Sequence, residues 1–272
     1  MTMRRLVFVL AALLVASRAD AQYQADNRAP GEQFHVEFSL RFWTPNPELQ
    51  LSTGSLASLG VGAVDFVQEF GLLNERFIEY AVTSKPGRKH KVHYSSIPIN
   101  YSADVTVSRT LQFGGLTVPI SIPASTDFEW RLRRYGYEWD FIAADRGYVG
   151  LLTEVKDNKL SASVSAGPFG SEDLDLRVWI PTVGVAARAY PHRLFSISGD
   201  FGVEVTRFKG FDRLKTDWDG KYMDFDVYGT MNFGRTVAAQ AGYRSLLVDY
   251  TSSSDTAHLR LKGWYWGGNV RF

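Results

Sequence analysis

Apolar and polar residues alternate along several stretches of this chain. The clearest stretch runs from residue 33 to residue 43. Its apolar positions are Phe34, Val36, Phe38, Leu40 and Phe42, and the residues between them are His35, Glu37, Ser39 and Arg41. Successive side chains of an extended strand point to opposite faces. The pattern therefore predicts a strand with one apolar face and one polar face.

The same period of two recurs at residues 194–207, 223–233 and 264–272. Short turn sequences join predicted strands at residues 85–88, 144–147, 191–192 and 234–235. Other connections are long, and the first of them is expected at residues 44–72. Counting the runs predicts about ten antiparallel strands, with both chain ends on the side of the short turns.

The last stretch of the chain, residues 257–272, carries a resemblance. Trp264, Trp266, Val270 and Phe272 fall on alternate positions, and the chain stops on that phenylalanine. This pattern resembles the last strand of Gram-negative outer-membrane β-barrel proteins. The resemblance implies an all-β, transmembrane, antiparallel up-and-down barrel over residues 33–272, located in the outer membrane. It also implies that the barrel-assembly machinery reads Phe272 as an assembly signal.

Two stretches leave details of the barrel open. Residues 103–122 contain strand-like residues around Gly114-Gly115 and are expected to form a hairpin outside the membrane. If the hairpin entered the barrel, the strand number would be twelve, and eight is the smaller alternative. Within residues 126–142 the apolar positions change phase near Arg133 and Arg134, which predicts either a bulge or a change of surroundings there.

Composition and export fit this class. The chain has 18 Phe, 13 Tyr and 7 Trp, and a barrel in lipid needs apolar outward positions and aromatic girdles. Residues 1–21 read as a signal peptide, with Arg4 and Arg5 before an apolar run and cleavage before Gln22. Residues 22–32 read as a short periplasmic lead-in. Signal removal changes the formal charge from +1 to −1, which argues against nucleic acid as a partner.

The polar faces of the predicted strands point into the barrel lumen. The candidate lumen charges are Glu37, Arg41, Arg131, Arg188, Asp200, Glu204, Asp224, Asp226 and Arg244. A barrel of about ten strands has a narrow interior, so these charges are expected to pair with one another. The chain has no cysteine, no complete cofactor motif and no metal motif, so no cofactor is predicted.

Two enzyme alternatives remain open. His93 and Ser95 share a strand face and resemble the His-x-Ser pair of outer-membrane lipid A deacylases, but the sequence offers no carboxylate to orient the histidine. A protease similar to the ten-stranded omptins would need a histidine beside the acidic pairs Asp224/Asp226 or Asp200/Glu204, and none is placed there in sequence. The favoured interpretation of all these residues is a polar lumen.

The stretch between residues 207 and 221 mixes cations with aromatic residues. Such a composition near the outer leaflet suits the phosphates of lipopolysaccharide. The candidate contacts are Lys209, Arg213, Lys215 and Lys221. The sequence thus predicts a non-enzymatic outer-membrane barrel in contact with lipid and lipopolysaccharide, with a structural or adhesive role or a narrow passage for small solutes. Transport of a small hydrophobic molecule is a further alternative.

Overall fold

The computed structural model describes residues 27–53, 64–72, 74–108, 110–113, 116–204, 219–251 and 255–272. Strands dominate this part of the chain. They are β1 (Val36–Thr53), β2 (Val64–Asp65), β3 (Phe77–Gly87), β4 (His90–Thr106), β5 (Leu111–Phe113), β6 (Leu116–Val118), β7 (Pro123–Ala144), β8 (Gly147–Ser165), β9 (Ser171–His192), β10 (Phe195–Glu204), β11 (Asp219–Phe233), β12 (Val237–Thr251) and β13 (Asp255–Arg271). One short helix, α1 (Phe66–Phe70), follows β2, and single 3-10 turns lie at Pro30–Glu32 and Gly167–Phe169.

Ten of these strands form a closed antiparallel barrel, as predicted. The barrel strands are β1, β3, β4 and β7 to β13. Each pairs with the next barrel strand, and β13 pairs with β1 from Glu37↔Arg271 to Thr53↔Asp255. In the described residues β5 and β6 pair only with each other, so the hairpin predicted at 103–122 does not join the barrel ladder, although residues 103–106 belong to β4. This placement excludes the twelve-stranded alternative, and the ladder likewise excludes eight strands.

Four short turns lie at one end of the barrel, together with the last residue and the residues before β1. Three overlap the predicted positions, whereas the turn predicted at residues 191–192 lies at 193–194 because β9 continues to His192. The backbone oxygen of Phe272 accepts hydrogen bonds from the amides of His35 (2.7 Å) and Val36 (3.1 Å). Short turns of outer-membrane barrels are periplasmic, so this end is called the periplasmic end. The long connections, α1 and the β5–β6 hairpin lie at the opposite, extracellular end.

The two ends of the barrel wall have opposite polarity, and β7 shows the change within one strand. Tyr135, Tyr137, Trp139 and Phe141 point outward and are 43 to 45% exposed, whereas Phe128, Trp130 and Leu132 point inward and are at most 1% exposed. Towards the periplasm the outer surface is therefore apolar and the interior polar. Towards the extracellular end the interior is apolar and the outer surface polar.

The phase change in β7 needs no bulge. From His90↔Trp139 to Thr106↔Pro123 the register between β4 and β7 is unbroken, and the irregularity against β8 lies at Asp140/Ile142. The bulge predicted near Arg133 and Arg134 is therefore wrong. The alternative, a change from lipid-facing to water-facing surroundings, accounts for the pattern because the same two faces simply exchange polarity there.

The first strand is longer than predicted. The expected loop from residue 44 is wrong up to Thr53, because β1 continues through Pro45 and Pro47 in register with β13. Proline cannot donate a ladder hydrogen bond and is tolerated where a strand has a free edge. Phe77, the first residue of β3, lies opposite Trp43, so among the described residues no barrel strand pairs with β1 on that side at these prolines.

In the described part of the chain, no helix is both long enough and apolar enough to cross a bilayer.

The outward assignment predicts the effect of a charge on the apolar surface. Phe201→Arg should lower the free energy of unfolding by roughly 2 to 4 kcal/mol, because Phe201 points outward from the middle of β10. Urea unfolding of the protein in lipid vesicles measures this loss. Ser163→Arg is the matched control, since Ser163 faces outward at the extracellular end and should change stability little. An equal loss in both variants would contradict the assignment.

Candidate functional site: the charged lumen

The periplasmic half of the barrel encloses a cavity of about 110 Å³. Its walls are charged. The cations are Arg41, Lys91, Arg134, Lys156, Arg188 and Arg244, and the carboxylates are Glu37, Glu79, Glu138, Glu154, Asp200, Asp224 and Asp226. A single water needs roughly 10 to 15 Å³ of such space, so the cavity has room for several waters. Buried charges at this density are stable only when they pair.

Most of the predicted lumen charges do face this interior: Glu37, Arg41, Arg188, Asp200, Asp224, Asp226 and Arg244 line the cavity, and Glu204 is buried at the inner face of β10. Arg131 was predicted wrongly. The even-numbered residues of β7 from Ala124 to Asp140 point inward, so Arg131 points outward and pairs with Glu129. Arg134, which follows the same parity as the buried residues, is the lumen cation of that segment.

Arg244 holds the centre of the lumen. Its guanidinium donates to Asp226 at 2.6 Å and to Glu79 at 2.9 Å. Arg41 donates to Glu79 at 3.3 Å, and the Tyr265 hydroxyl donates to Asp226 at 2.7 Å. Four strands, β1, β3, β11 and β12, thereby share one ionic network, and β13 joins it through its tyrosine.

A second network surrounds Asp224. Arg134 and Lys156 each approach its Oδ2 at 2.9 Å, and Lys156 also pairs with Glu154 at 2.9 Å. Sequence reasoning missed Arg134, Lys156 and Glu154. The sequence signal that could have found them is the alternation of apolar residues in the extracellular halves of β7 and β8, because all three share the even parity of those inward residues.

His93 faces the lumen and has the carboxylate that the sequence could not identify. Its Nε2 lies 2.8 Å from Glu138 Oε2, and its Nδ1 lies 3.1 Å from the Thr83 hydroxyl. Glu138 belongs to β7, the neighbouring strand, and also accepts from Lys91 at 2.6 Å. Ser95 is buried on the same inward face. Because the histidine and the serine point away from the lipid, a membrane acyl chain does not reach them from the outer surface.

The extracellular end of the lumen is filled by an apolar core. Phe66 and Phe70 of α1 are at most 1% exposed, and the Phe66 ring packs 6.1 Å from the ring of Phe128. Asp65 caps the helix by accepting hydrogen bonds from the amides of Val67 and Gln68, both at 3.0 Å. The β5–β6 hairpin adds Leu111, Leu116 and Val118 to the same core.

The periplasmic end is filled by residues 27–35, called here the N-terminal plug. Glu32 is buried in the mouth of the barrel, where Lys85 donates at 2.6 Å, Arg188 at 3.2 Å and the Tyr190 hydroxyl at 3.1 Å. A Cβ added at Gly31 would overlap that hydroxyl and the amide oxygen of Asn232, so both side chains would have to move. Burial alone would raise the pKa of Glu32, but the charges of Arg188 and Lys85 outweigh it and lower the pKa to about 2.

The remaining histidine couple lies outside the lumen. His258 Nδ1 and Asp249 Oδ1 are 2.5 Å apart on exposed positions of β13 and β12 at the extracellular end. The acidic residues Asp224 and Asp226 lie inside the lumen, below the apolar core. The barrel wall therefore separates this histidine from both predicted acidic pairs. In the described residues no cluster of His, Asp and Glu has the arrangement of a metal site.

Of the four predicted lipopolysaccharide contacts, Lys209, Arg213 and Lys215 lie outside the described residues. Lys221 lies on β11, opposite Asp249 of β12, and its parity points it outward.

Comparison with known proteins identifies the fold. No protein-family model matches the sequence, and no curated protein matches it. Among solved structures, the outer membrane protease OmpT from Escherichia coli aligns with a TM-score of 0.57 and 10% identity, over 88% of this chain and 97% of that one. Ail of Yersinia pestis, in complex with a heparin analogue, aligns with a TM-score of 0.38 and 10% identity, over 88% of this chain and 99% of that one. The Pseudomonas putida toluene transporter TodX aligns with a TM-score of 0.31 and 8% identity, over 88% of this chain and 90% of that one. Of these three, only the OmpT value is high enough to indicate a shared fold.

The central network predicts a large cost for removing its cation. Arg244→Met should lower the free energy of unfolding by about 3 to 5 kcal/mol, because Glu79 and Asp226 would remain buried without their main partner. Urea unfolding in lipid vesicles measures the loss. The control is Arg88→Met, which breaks an exposed pair with Asp145 and should cost less than about 1 kcal/mol. Similar losses in the two variants would show that the lumen pairs do not hold the barrel together.

Proposed function

We propose that this chain, a β-barrel of the Gram-negative outer membrane, is a closed and non-enzymatic barrel that carries a rigid β-structured head above the outer leaflet. Its role would be structural or adhesive. The head consists of the extracellular parts of the barrel strands, α1 and the β5–β6 hairpin. The observation that carries this proposal is the filling of the lumen at both ends.

The filled ends argue against a passage for solutes. Between the apolar core and the N-terminal plug, the described residues line a cavity of about 110 Å³. An ion crossing the barrel would have to displace Phe66, Phe70 and their neighbours at one end and Glu32 with its partners at the other. The charged cavity also does not suit a hydrophobic molecule, because its buried charges would lose their polar surroundings.

Strand length supports the head. A strand crosses a bilayer with about 9 to 11 residues. β7 and β9 each have 22 residues, so about half of each strand stands above the membrane. There the inward side chains form the apolar core, which fixes the head as firmly as the core of a soluble domain. A surface held in one shape suits a binding or supporting role.

Geometry supports the non-enzymatic alternative over the two enzymes considered. The His93–Glu138 couple is closed off from lipid, and the His258–Asp249 couple lies on an open outer wall with no acidic pair across from it in the described residues. We also propose that Phe272 is the assembly signal. Its ring is exposed, lies 6.2 Å from the ring of Phe38, and is accessible from the lipid side.

The closed lumen predicts zero steady current in planar bilayers. The refolded protein should insert without opening a channel, because both ends of the lumen are filled. A known open porin, reconstituted in the same bilayers, is the control for insertion and detection. Steady current steps from this protein would overturn the closed-barrel proposal.

The N-terminal plug predicts a charge-dependent closure. The chain has no cysteine, so Ala29→Cys, at a position 1% exposed, provides a single thiol probe. Adding Glu32→Lys places a cation beside Lys85 and Arg188 and should speed alkylation of that thiol at least about tenfold by releasing the plug. Adding Arg88→Met instead is the control and should leave the rate unchanged. Equal rates would show that Glu32 does not hold the plug.

The plug should also respond to acid. The pKa of Glu32 is lowered when the plug is in place. The ionised carboxylate therefore stabilises the bound plug fully at any pH above the usual pKa of a glutamate. That contribution is lost as the pH falls through about 2. Pepsin cleavage near Phe34 should therefore be much faster in Glu32→Gln than in the wild type at about pH 4, and the ratio of the two rates should approach one near pH 2. A ratio of one at both pH values would contradict this.

A further inference from the structure

Three cations lie side by side on the outer wall of the barrel. The register places Arg131 of β7 opposite Lys159 of β8, and Lys159 opposite Arg177 of β9. All three point outward, because the alternate positions of these strands fill the apolar core. We call them the cation row. Like charges directly opposite one another in a sheet repel, so the row is unfavourable unless an anion joins it.

The cation row lies just above the aromatic girdle. Two residues below it, the next outward positions are Arg133, Asp157 and Trp179, and two residues further down are Tyr135, Val155 and Pro181. The rings of Tyr135 and Trp179 stack at 6.3 Å and are both exposed. Tyrosine and tryptophan mark the membrane interface. With the usual rise and tilt of barrel strands, the row stands about 5 Å above the Trp179 level.

The charge of the row is only partly neutralised from within the chain. Arg177 donates to Asp157 at 2.9 and 3.0 Å, and Arg133 lies 3.5 Å from the same carboxylate. Arg131 pairs with Glu129, one outward position further from the membrane. Among the described residues no carboxylate pairs with Lys159, which is exposed between the two arginines. The cation row and the outward positions two residues below it thus carry four cations and one carboxylate together.

From this arrangement we infer that the cation row binds the phosphate of a phosphorylated glycolipid headgroup in the outer leaflet. Arginine offers paired donors to phosphate oxygens and lysine adds a point charge. The row faces sideways over the membrane surface, at the height of headgroups and directly above the rings that contact the acyl boundary. The inference depends on the position of the barrel in the membrane and not on whether its lumen is closed.

The opposite side of the barrel supplies a matched control surface. Arg260 and Lys262 also point outward just above the girdle residue Trp264. There, however, each cation pairs with the same carboxylate, Glu48, at 3.7 Å from Arg260 and 2.7 Å from Lys262. Removing these two cations changes the net charge by the same amount as removing two members of the row.

The test measures lipid binding to the refolded protein immobilised in a maltoside detergent. The probes are lipid A with two phosphates, the same lipid A after removal of both phosphates, and inorganic phosphate. Bis-phosphorylated lipid A should bind, and removal of its phosphates should weaken binding by about tenfold or more. The double variant R131Q/K159Q should lose a similar factor, whereas R260Q/K262Q should stay within about twofold of the wild type.

Three results would overturn the inference: unchanged binding in R131Q/K159Q, equal binding of the dephosphorylated lipid, or full displacement by about 10 mM inorganic phosphate, which would indicate a site for free phosphate instead. Heat-modifiable gel migration checks that each variant is folded. The single variant K159Q, at an exposed position, repeats the test if the double variant migrates as an unfolded chain. A conducting barrel that binds lipid A in this way would contradict the proposed function and leave this inference standing.

Discussion

The hydrogen-bonded ladder between β1 and β13 is the constraint on which the rest of the structure depends. A sheet exposed to hydrocarbon cannot leave a free edge, because unpaired backbone groups have no water there. Seventeen successive residue pairs, from Glu37↔Arg271 to Thr53↔Asp255, join the first barrel strand to the last. Closure fixes which face of every strand points inward, and thereby brings Glu79, Asp226 and Arg244 from distant parts of the sequence to one network.

Closure also creates one interior that must be filled in two different ways. Where the outside is lipid, the apolar residues are used on the outer face, and the interior is left with charged residues that neutralise one another. Where the outside is water, the interior can be apolar, and Trp130 and Leu132 belong to the same core as Phe66 and Phe70 of α1. The N-terminal plug completes the polar part, since Glu32 adds a carboxylate where Lys85 and Arg188 would otherwise meet.

Local alternation was enough to predict strands and the inward direction of residues such as Glu37 and Arg244, and the resemblance of the last strand to those of outer-membrane barrels added the closed barrel. Alternation failed where the meaning of the pattern depends on surroundings. Arg131 was placed in the lumen because a charge in a membrane barrel is expected inside, but above the lipid the charged face is the outer one. The partnership of His93 with Glu138 could not be predicted, because it depends on the register between β4 and β7 and not on spacing within either strand.

The exchange of polarity in β7 has a mechanical consequence. Sliding the barrel towards the periplasm by one inward-outward repeat would place Arg133 against hydrocarbon, and sliding it the other way would lift Tyr135 and Trp179 into water. Both displacements are unfavourable, so the exchange of polarity in this strand holds the molecule at one height in the membrane. Any surface on the head therefore stays at a constant distance from the bilayer.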